Sequence, residues 1–554
     1  MTKIETLARR RELRFWGWGY ADEGLTPDEE ARARAAAARY AKDGPVEVKP
    51  PTLEEFELPA PRVAAPAALA PILSASPYDR LTHTYGKSFP DVARMLMRSV
   101  PHPPDLVAFP RTEAEVSAVL DWAGGANIAV IPFGGGSSVV GGVEPDVGGG
   151  YAATVSLDTQ HLWQVLEIDR ASRAARIQAG ALGPELEDQL RPHGLTLRHF
   201  PQSFQLSTLG GWIATRSGGH FASLYTHIDD FVESVRLATP AGMLETRRLP
   251  GSGAGPAPDR MVIGSEGVFG VITEAWMRLQ DRPTHQATAS VAFASMGAAT
   301  AAVRALTQSG LYPSNCRLLD PAEALGNGVG DGTSAILVLG FESADHPLDA
   351  WVNRALELTA DHGGVVSPPA PAGARDQAAG VWRNAFIRMP FNRNLTVALG
   401  LIGDTFETAI TWDRFESFYE EVRSRMNGVI RQVCGHDANI SCRFTHVYPD
   451  GPAPYFSFSG LGTTSGRLDD SIARWSEIKR AANEIVVSLG GTVTHHHAVG
   501  RDHRRGYEAE TPTLFRQALA AAKQTLDRAG VMNPGVLIDP VGRQVGARGV
   551  LGAG

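Results

Sequence analysis

The spacing of hydrophobic positions between about residues 101 and 282 marks this stretch as a mixed domain. Short apolar runs bounded by glycine and polar residues predict strands, and apolar residues three and four apart predict helices. Thr112 and Glu115 have the spacing of a capping box. Strands are predicted at 105–110, 128–133, 154–159 and 268–279, hairpins at 162–180 and 231–247, and helices after Thr112 and at 183–192. This mixture predicts an α+β domain of roughly 180 residues.

The segments on either side of this domain follow other patterns. A helix is predicted near 27–42, and its lack of large apolar residues predicts that it is solvated or covered by a partner. Residues 283–470 mix strands with amphipathic helices, and further helices are predicted at 471–489 and 512–529. We predict four units, namely an N-terminal arm and helical region at 1–100, a first domain at 101–282, a second domain at 283–480 and a C-terminal segment at 481–554.

Composition excludes several classes of protein. The 554 residues carry a formal net charge of -8, which argues against a nucleic-acid-binding protein because phosphate neutralisation needs a basic face. The three cysteines form no CxxC pair, so neither a disulfide framework nor a cysteine zinc site is expected. The N-terminus has no apolar signal region, and no apolar run approaches the ~20 residues of a membrane span. The C-terminus, VLGAG, is no peroxisomal address, and we expect a cytoplasmic location.

Three glycine-rich segments are the main candidates for ligand binding. The first, PFGGGSSVVGG at 132–142, follows a predicted buried strand, and consecutive glycines allow backbone N–H groups to converge on an anion. The others are PQSFQLSTLGGWIATRSGG at 201–219 and GSEGVFGVIT at 264–273. The chain has no GxGxxG, GxSxG or HExxH motif. The ordered set predicts a long ligand with several polar groups, such as FAD.

Three further features could carry chemistry. His495, His496 and His497 are consecutive, and in an extended strand at most His495 and His497 share a face. They are expected to handle protons or anions or to form a surface cluster, and we predict no metal site. Tyr455 lies in an aromatic strand and is either a core residue or an acid–base group. Arg393 suits a phosphate, with Arg388 as its competitor.

The ordered motifs PFGGGSSV, PQSFQLSTLGGWIATRSGG and IGSEGVFGVITEA resemble the vanillyl-alcohol-oxidase/p-cresol-methylhydroxylase (VAO/PCMH) superfamily. Within it, FWGWGYAD near the start and HHHAVG near the end resemble the alkyldihydroxyacetonephosphate synthases, and the likeness runs from 15–20 through 539–543. The resemblance implies a two-domain α+β fold, in which an antiparallel-sheet cap domain covers a PCMH-type FAD-binding domain and the C-terminal segment packs back on that domain. Many superfamily oxidases hold the flavin covalently through a histidine of the glycine loop. Here serines stand in that loop, which implies non-covalent FAD.

The resemblance also implies a reaction and roles for individual residues. The acyl group of acyl-dihydroxyacetone phosphate is exchanged for a long-chain alcohol in ether lipid synthesis, without net redox chemistry. Tyr455 is then the base, Arg393, fourteen residues before Glu407, binds the phosphate, and His495, His496 and His497 assist proton transfer. The implied cofactor-binding residues are Pro132, Phe133, Gly134, Gly135, Gly136, Ser137, Ser138, Val139, Pro201, Gln202, Ser203, Ser207, Thr208, Gly211, Trp212, Ala214, Thr215, Ser217, Glu266, Gly267, Val268, Gly270, Val271 and Ile272.

The main rival is an FAD-linked dehydrogenase or oxidase of a 2-hydroxy acid such as D-lactate, which shares the fold and the glycine segments. Under either reading we expect a small-molecule or lipid substrate, a homodimer and no nucleic acid. A long-chain alcohol comes from a membrane, so peripheral membrane contact is also expected. The basic and aromatic residues of the N-terminus, which either contact lipid headgroups or pack on the core, are Arg9, Arg10, Arg11, Arg14, Phe15, Trp16 and Trp18.

Overall fold

The structure, a computed structural model, describes residues 7–40, 46–221, 227–366, 377–543 and 545, with the backbone alone for 377–387. None of the described helices combines the length and the apolar character that crossing a membrane requires. The helices are α1 (Pro27–Ala38), α2 (Pro77–Thr82), α3 (Phe89–Leu96), α4 (Glu113–Ala126), α5 (Gly183–Leu190), α6 (Leu209–Thr215), α7 (Asp259–Val262), α8 (Met296–Gln308), α9 (Pro321–Gly326), α10 (Asp349–Ala360), α11 (Gln377–Ala398), α12 (Trp412–Cys434), α13 (Leu468–Ser488), α14 (Arg504–Glu510) and α15 (Thr513–Leu526).

The first domain begins with a small sheet that ends at the glycine loop. Its strands are β1 (Leu73–Ser74), β2 (Leu106–Ala108), β3 (Ile128–Phe133) and β4 (Ala153–Asp158). They lie in the order β1-β2-β4-β3, and β4 runs parallel to both neighbours. β3 is almost wholly apolar because it is buried on both faces, as is usual for parallel strands. The loop that starts at Gly134 therefore leaves the sheet at the end of a buried strand, β3, at one edge of this sheet.

A second, antiparallel sheet completes this domain. The next strands along the chain are β5 (Val165–Asp169), β6 (Ala174–Gln178), β7 (Leu195–Thr196), β8 (Val232–Thr239), β9 (Gly242–Glu245), β10 (Val271–Arg278) and β11 (Gln280–Asp281). Five of them form a sheet in the order β5-β6-β10-β8-β9, while β7 pairs with β11. Both predicted hairpins, β5–β6 and β8–β9, are confirmed.

The second domain is built on one seven-stranded antiparallel sheet, which confirms the predicted cap architecture. Its strands are β12 (His285–Phe293), β13 (Asn315–Leu319), β14 (Ala335–Ser343), β15 (Val365–Val366), β16 (Leu401–Glu407), β17 (Asn439–Val447) and β18 (Pro452–Leu461). They lie in the order β15-β12-β14-β13-β17-β18-β16. Helices α8, α12 and α13 contribute buried apolar residues to the core of this domain, among them Val303, Phe418 and Trp475.

The two ends of the described chain pack on different domains. Helix α1 packs on α11, where Ala37 is buried and Glu29 forms an ion pair of 2.8 Å with Arg388. The prediction of a solvated or partner-covered helix is thus wrong, because α11 of the same chain covers one face of α1. At the other end, the backbone N–H of Val130 in β3 donates to the carbonyl of Val531 at 2.8 Å. The C-terminal residues therefore lie against the first domain.

Two details of local structure differ from the sequence prediction. Thr112 Oγ1 accepts from the N–H of Glu115, but the Glu115 carboxylate accepts from the N–H of Arg111 at 2.6 Å. The predicted capping box is therefore only half formed, because the adjacent N–H lies within reach of the carboxylate. The segment around His495 was expected to be extended, but it is an irregular loop. Its backbone bonds go to a side chain instead of a neighbouring strand, as described below.

Candidate active site

The glycine loop presents unsatisfied backbone donors to a cavity of about 420 Å³, here called the central cavity. Among the described residues, the N–H groups of residues 134–139 find no hydrogen-bond partner. These residues line the cavity and are only partly exposed, and convergent N–H groups of a glycine loop suit an anionic ligand. A Cβ on Gly135 would lie 1.7 Å from the carbonyl oxygen of Leu206. Gly135 is therefore needed for close packing of two loops.

A second cavity of about 110 Å³, here called the inner lobe, meets the central cavity at this loop. Both are lined by Gly134, Ser138 and Thr208. The inner lobe is also lined by Glu266, Asn533 and two further threonines, Thr159 and Thr215. The buried Asn533 Oδ1 has no hydrogen-bond partner among the described residues. A pyrophosphate at the loop would place an adenosine in the inner lobe and a flavin ring in the central cavity. The unpaired donors and acceptor thus fit FAD.

Four basic side chains line the part of the central cavity formed by the second domain: Arg317, Arg393, Arg443 and Lys479. Burial and the nearby Arg443 charge lower the pKa of Arg317 to about 9. Arg393 Nη2 donates to Asp404 Oδ1 at 2.9 Å, which fixes its guanidinium at the cavity wall. A cavity with this charge suits an anionic substrate, and arginine suits phosphate and carboxylate in particular.

Strand register places Tyr455 at the centre of this surface. Tyr455 in β18 lies opposite Arg443 in β17 and Glu407 in β16, and directly opposed residues share a face of a sheet. The Tyr455 hydroxyl accepts from Thr405 Oγ1 at 3.0 Å. Burial raises the pKa of the Tyr455 phenol, and the Arg443 guanidinium acts in the opposite direction. Tyr455 is therefore a protonated phenol in the resting protein, with a cation placed to stabilise its ionised form.

The loop of three histidines is organised around the carboxylate of Glu407. The backbone N–H groups of His496 and His497 donate to Glu407 at 3.0 and 2.9 Å, and that of His495 donates to it at 2.5 Å. Burial opposes the charge on Glu407, but the three histidines hold the pKa of its carboxyl well below the usual range. Because this curled backbone does not alternate like a strand, His496 and His497 line the central cavity together. The expectation that His495 and His497 share a face is wrong.

His495 belongs to a second cluster that sequence reasoning did not anticipate. Its Nε2 lies 2.8 Å from the Tyr448 hydroxyl and 3.3 Å from Nε2 of His227. Ring nitrogens of His446, His495 and His496 lie within 4.8 Å of one another, a spacing that a metal ion could use. Burial lowers the pKa of His446 and His495 well below the ordinary value, so both imidazoles are neutral at pH 7. The absence of a bound metal stays a prediction.

A third and larger space of about 630 Å³, here called the aromatic cavity, adjoins the central cavity. The two share lining residues at Trp18, at Pro201–Ser203 and at Pro390. The remaining wall comes from both domains and combines aromatic side chains with polar ones, among them the ion pair of Arg198 and Glu342. Its aromatic side chains are Trp18, Phe200, Phe204, Phe221, Phe341 and Phe391. A cavity with four basic side chains thus continues into one with six aromatic side chains, a combination suited to an amphipathic substrate.

Comparison with known proteins identifies both domains. Residues 104–247 match the FAD binding domain, and residues 282–537 match the C-terminal domain of FAD linked oxidases. The chain therefore carries an FAD binding domain followed by a C-terminal domain of the kind found in FAD linked oxidases. Its cofactor is FAD, as the three glycine segments predicted.

Among curated relatives, the alkyldihydroxyacetonephosphate synthase of Dictyostelium discoideum is 29% identical, over 83% of this chain and 78% of that protein. The synthase of Trypanosoma brucei brucei is 27% identical over 95% of this chain and 92% of that protein. Glycolate oxidase subunit GlcD of Bacillus subtilis is 27% identical over 78% of this chain and 88% of that protein. A solved alkyldihydroxyacetonephosphate synthase superposes with a TM-score of 0.77, at 25% identity over 94% of this chain and 98% of that chain. The predicted resemblance is confirmed.

The fold agrees with this family assignment. A solved p-cresol methylhydroxylase superposes with a TM-score of 0.62 at 14% identity over 94% of this chain, which shows a common fold. Of the implied FAD-binding residues, Val268 alone lines neither the central cavity nor the inner lobe. Val268 is fully buried in the apolar core, and its carbonyl accepts from Lys523 Nζ at 2.7 Å. The other implied residues line these two cavities, which are the candidate space for FAD.

The structure separates the two candidate arginines of α11. Arg393 lines the central cavity, whereas Arg388 lies outside it and pairs with Glu29. Sequence reasoning missed Arg317 and Arg443, although an arginine within an apolar strand is a signal, since charged residues are seldom fully buried. Asn533 gave no such signal, because its position beside the inner lobe depends on contacts between distant segments.

The N-terminal arm packs on the rest of the chain, in agreement with the core-packing alternative. Trp18 is buried, and its backbone N–H and carbonyl bond reciprocally to the Asn394 side chain at 2.8 and 3.0 Å. The guanidinium of Arg10 is buried against the first domain. Because lipid headgroups cannot reach a buried guanidinium, membrane contact through Arg10 is excluded. Peripheral membrane contact stays a prediction, and the packing of the N-terminal arm gives it no support.

Proposed function

We propose that this flavoenzyme replaces the acyl group of an acyl-dihydroxyacetone phosphate with a long-chain alcohol. One observation carries the proposal: the cationic central cavity opens into the aromatic cavity of about 630 Å³. A phosphate and a carboxylate suit the first. An alkyl chain suits the aromatic side chains of the second, whose volume is typical of ligand sites. The named relatives and the solved synthases support the same assignment.

The overall exchange requires no external oxidant. The bond between the terminal carbon of the three-carbon unit and the ester oxygen breaks, and a bond from that carbon to the alcohol oxygen forms. The fatty acid leaves with the proton of the alcohol, so the numbers of atoms and electrons are unchanged. Bound FAD supplies an electron-accepting ring next to the substrate.

The residues of the central cavity have separate tasks in this proposal. Arg393, oriented by Asp404, binds the phosphate, and Arg317 and Arg443 stabilise the departing carboxylate. Tyr455 accepts the proton from the substrate carbon once its phenol is ionised, a state that the Arg443 cation favours. Burial lowers the pKa of His497 to about 3, so His497 acts as a neutral hydrogen-bonding group. His496 lines the cavity beside it.

A second candidate is oxidation of a 2-hydroxy acid. Relatives named glycolate oxidase subunit and D-lactate dehydrogenase match about four fifths of the chain, and the arginines of the central cavity also suit a carboxylate. A small hydroxy acid, however, would not fill the aromatic cavity. We further propose a homodimer and a cytoplasmic location.

Product analysis tests the proposal. Purified protein would be incubated without oxygen or dye with palmitoyl-dihydroxyacetone phosphate and hexadecanol, and lipids would be identified by mass spectrometry. One ether-linked product per released palmitate supports the exchange. Palmitate without ether product, or no reaction at all, would refute it. Phe341→Asp, which places a charge in the aromatic cavity, is expected to weaken use of hexadecanol more than use of a short-chain alcohol.

A further inference from the structure

The N-terminal arm reaches the back of the glycine loop through one side chain. Arg10 Nη1 donates to the carbonyl of Gly134 at 2.8 Å, and Nη2 donates to the carbonyl of Gly180 at 2.6 Å. The third donor, Nε, is buried and has no partner among the described residues. The Arg10 backbone is itself fixed, because its N–H donates to Gln160 Oε1 at 3.0 Å. Arg10 thus links the arm, the second sheet and the glycine loop.

The charge of Arg10 is not neutralised by a direct ion pair. Arg9 pairs with Glu185 at 2.7 Å and Arg11 pairs with Asp22, but within the described ranges no carboxylate lies within 4.0 Å of Arg10. Burial lowers the pKa of Arg10, against the opposing fields of Asp158 and Glu185. Since arginine remains protonated in proteins, a positive charge lies directly behind the loop.

Peptide geometry relates this charge to the ligand side of the loop. The C=O and N–H groups of one trans peptide point in opposite directions. Because the Gly134 carbonyl points at Arg10, the N–H of Gly135 in the same peptide points away from it. That N–H is one of the unsatisfied donors of residues 134–139.

We propose that Arg10 is a positioning residue for FAD, which holds the glycine loop with its donors toward the pyrophosphate and adds a buried positive charge behind them. The proposal rests on FAD as cofactor and is independent of the substrate. It assigns the arm a task in cofactor retention. It also predicts that the contribution of Arg10 depends on the phosphates of the flavin and not on its ring.

Binding of FAD and of riboflavin to the apoprotein, followed by flavin fluorescence, tests this proposal. Arg10→Gln is expected to weaken FAD binding by about 10-fold or more, the range for loss of charge-assisted hydrogen bonds. Riboflavin, which has the ring but no phosphates, is expected to keep its affinity within about 2-fold on the same scale. Arg11→Gln is the matched control, since Arg11 lies on the same arm but pairs with the exposed Asp22.

The outcomes separate positioning from general stability. FAD affinity within about 2-fold of the wild type, or equal weakening of both flavins, would overturn the proposal. If Arg10→Gln apoprotein does not fold, as judged by circular dichroism, Arg10→Lys decides. Lysine keeps the charge but loses the two-pronged geometry. We therefore expect Arg10→Lys to bind FAD more weakly than the wild type and more tightly than Arg10→Met, which has no charge. Unchanged FAD binding in Arg10→Lys and Arg10→Met would also refute the proposal.

Discussion

The guanidinium carbon of Arg443 lies 3.9 Å from the centre of the Tyr455 ring. Arg443 Nη1 is fixed by Glu323 Oε1, and both side chains are almost fully buried. A cation on the face of a phenol favours its ionised form, while burial disfavours it. The pair therefore places a tunable proton-transfer group at the wall of the central cavity, on the sheet face that it shares with Glu407.

Replacement of Tyr455 by Phe should stop proton transfer while leaving the ring packing and FAD binding intact. Turnover is expected to fall by at least about 10²-fold, because the variant has no group to accept the proton. Since burial raises the pKa of Tyr455, the ionised base becomes more abundant as pH rises, so wild-type turnover should increase between pH 7 and 9. Rapid-mix assays across this range would measure both effects. Full activity in Tyr455→Phe would remove Tyr455 from the mechanism.

Arg393→Lys should weaken substrate binding before it affects turnover. Lysine keeps the charge but loses the planar pair of donors, so a rise in KM of roughly 10-fold with a smaller change in kcat is expected. Arg388→Lys is the matched control, because Arg388 lies on the same helix and pairs with Glu29 outside the cavity. Equal effects of the two substitutions on KM would show that Arg393 does not contact the phosphate.

Much of this architecture is predictable from the sequence. The apolar run IAVIPF predicts β3, and the glycines directly after this run predict the loop. Both predictions depend only on local sequence. The loop of His495, His496 and His497 was mispredicted, because its shape depends on a carboxylate 88 residues away in the chain. Arg317 and Arg443 were missed for a related reason: only the strand order brings β13, β17 and β18 together.

Unfolding should become easier as the pH falls below about 6.5. Burial lowers the pKa of His199 to about 3, of His497 to about 3 and of His503 to about 4. Histidines in the unfolded chain titrate near 6.5. Between about pH 6.5 and 4 the unfolded state therefore binds more protons than the folded state. The free energy of unfolding falls over this range by up to about 1.4 kcal/mol per pH unit for each histidine. Urea titrations at pH 7.5, 6.5 and 5.5 would measure this slope.

The histidine explanation has its own control. His497→Gln should reduce the pH slope of the unfolding free energy, whereas substitution of the exposed His193 by Gln should leave it unchanged. An identical slope in wild type and His497→Gln would mean that other groups govern acid stability.

FAD should leave the protein on acid precipitation. The loop at 134–138 carries Ser137 and Ser138 where many relatives of this fold carry a histidine that bonds to the flavin. We therefore expect the visible flavin absorbance in the supernatant and a colourless pellet. Yellow colour retained in the washed, denatured pellet would indicate a covalent bond, and mass spectrometry of its peptides would locate the attachment.

The central claim, an exchange without net electron transfer, is tested most directly by the visible spectrum of the flavin during anaerobic turnover. Acyl-dihydroxyacetone phosphate and a long-chain alcohol would be added in excess to the oxidised protein, and in parallel D-lactate or glycolate would be added. The account predicts ether product over many turnovers with a fully oxidised flavin at the end, and no bleaching by either hydroxy acid. Lasting bleaching by a hydroxy acid, without ether formation from the lipid, would contradict it.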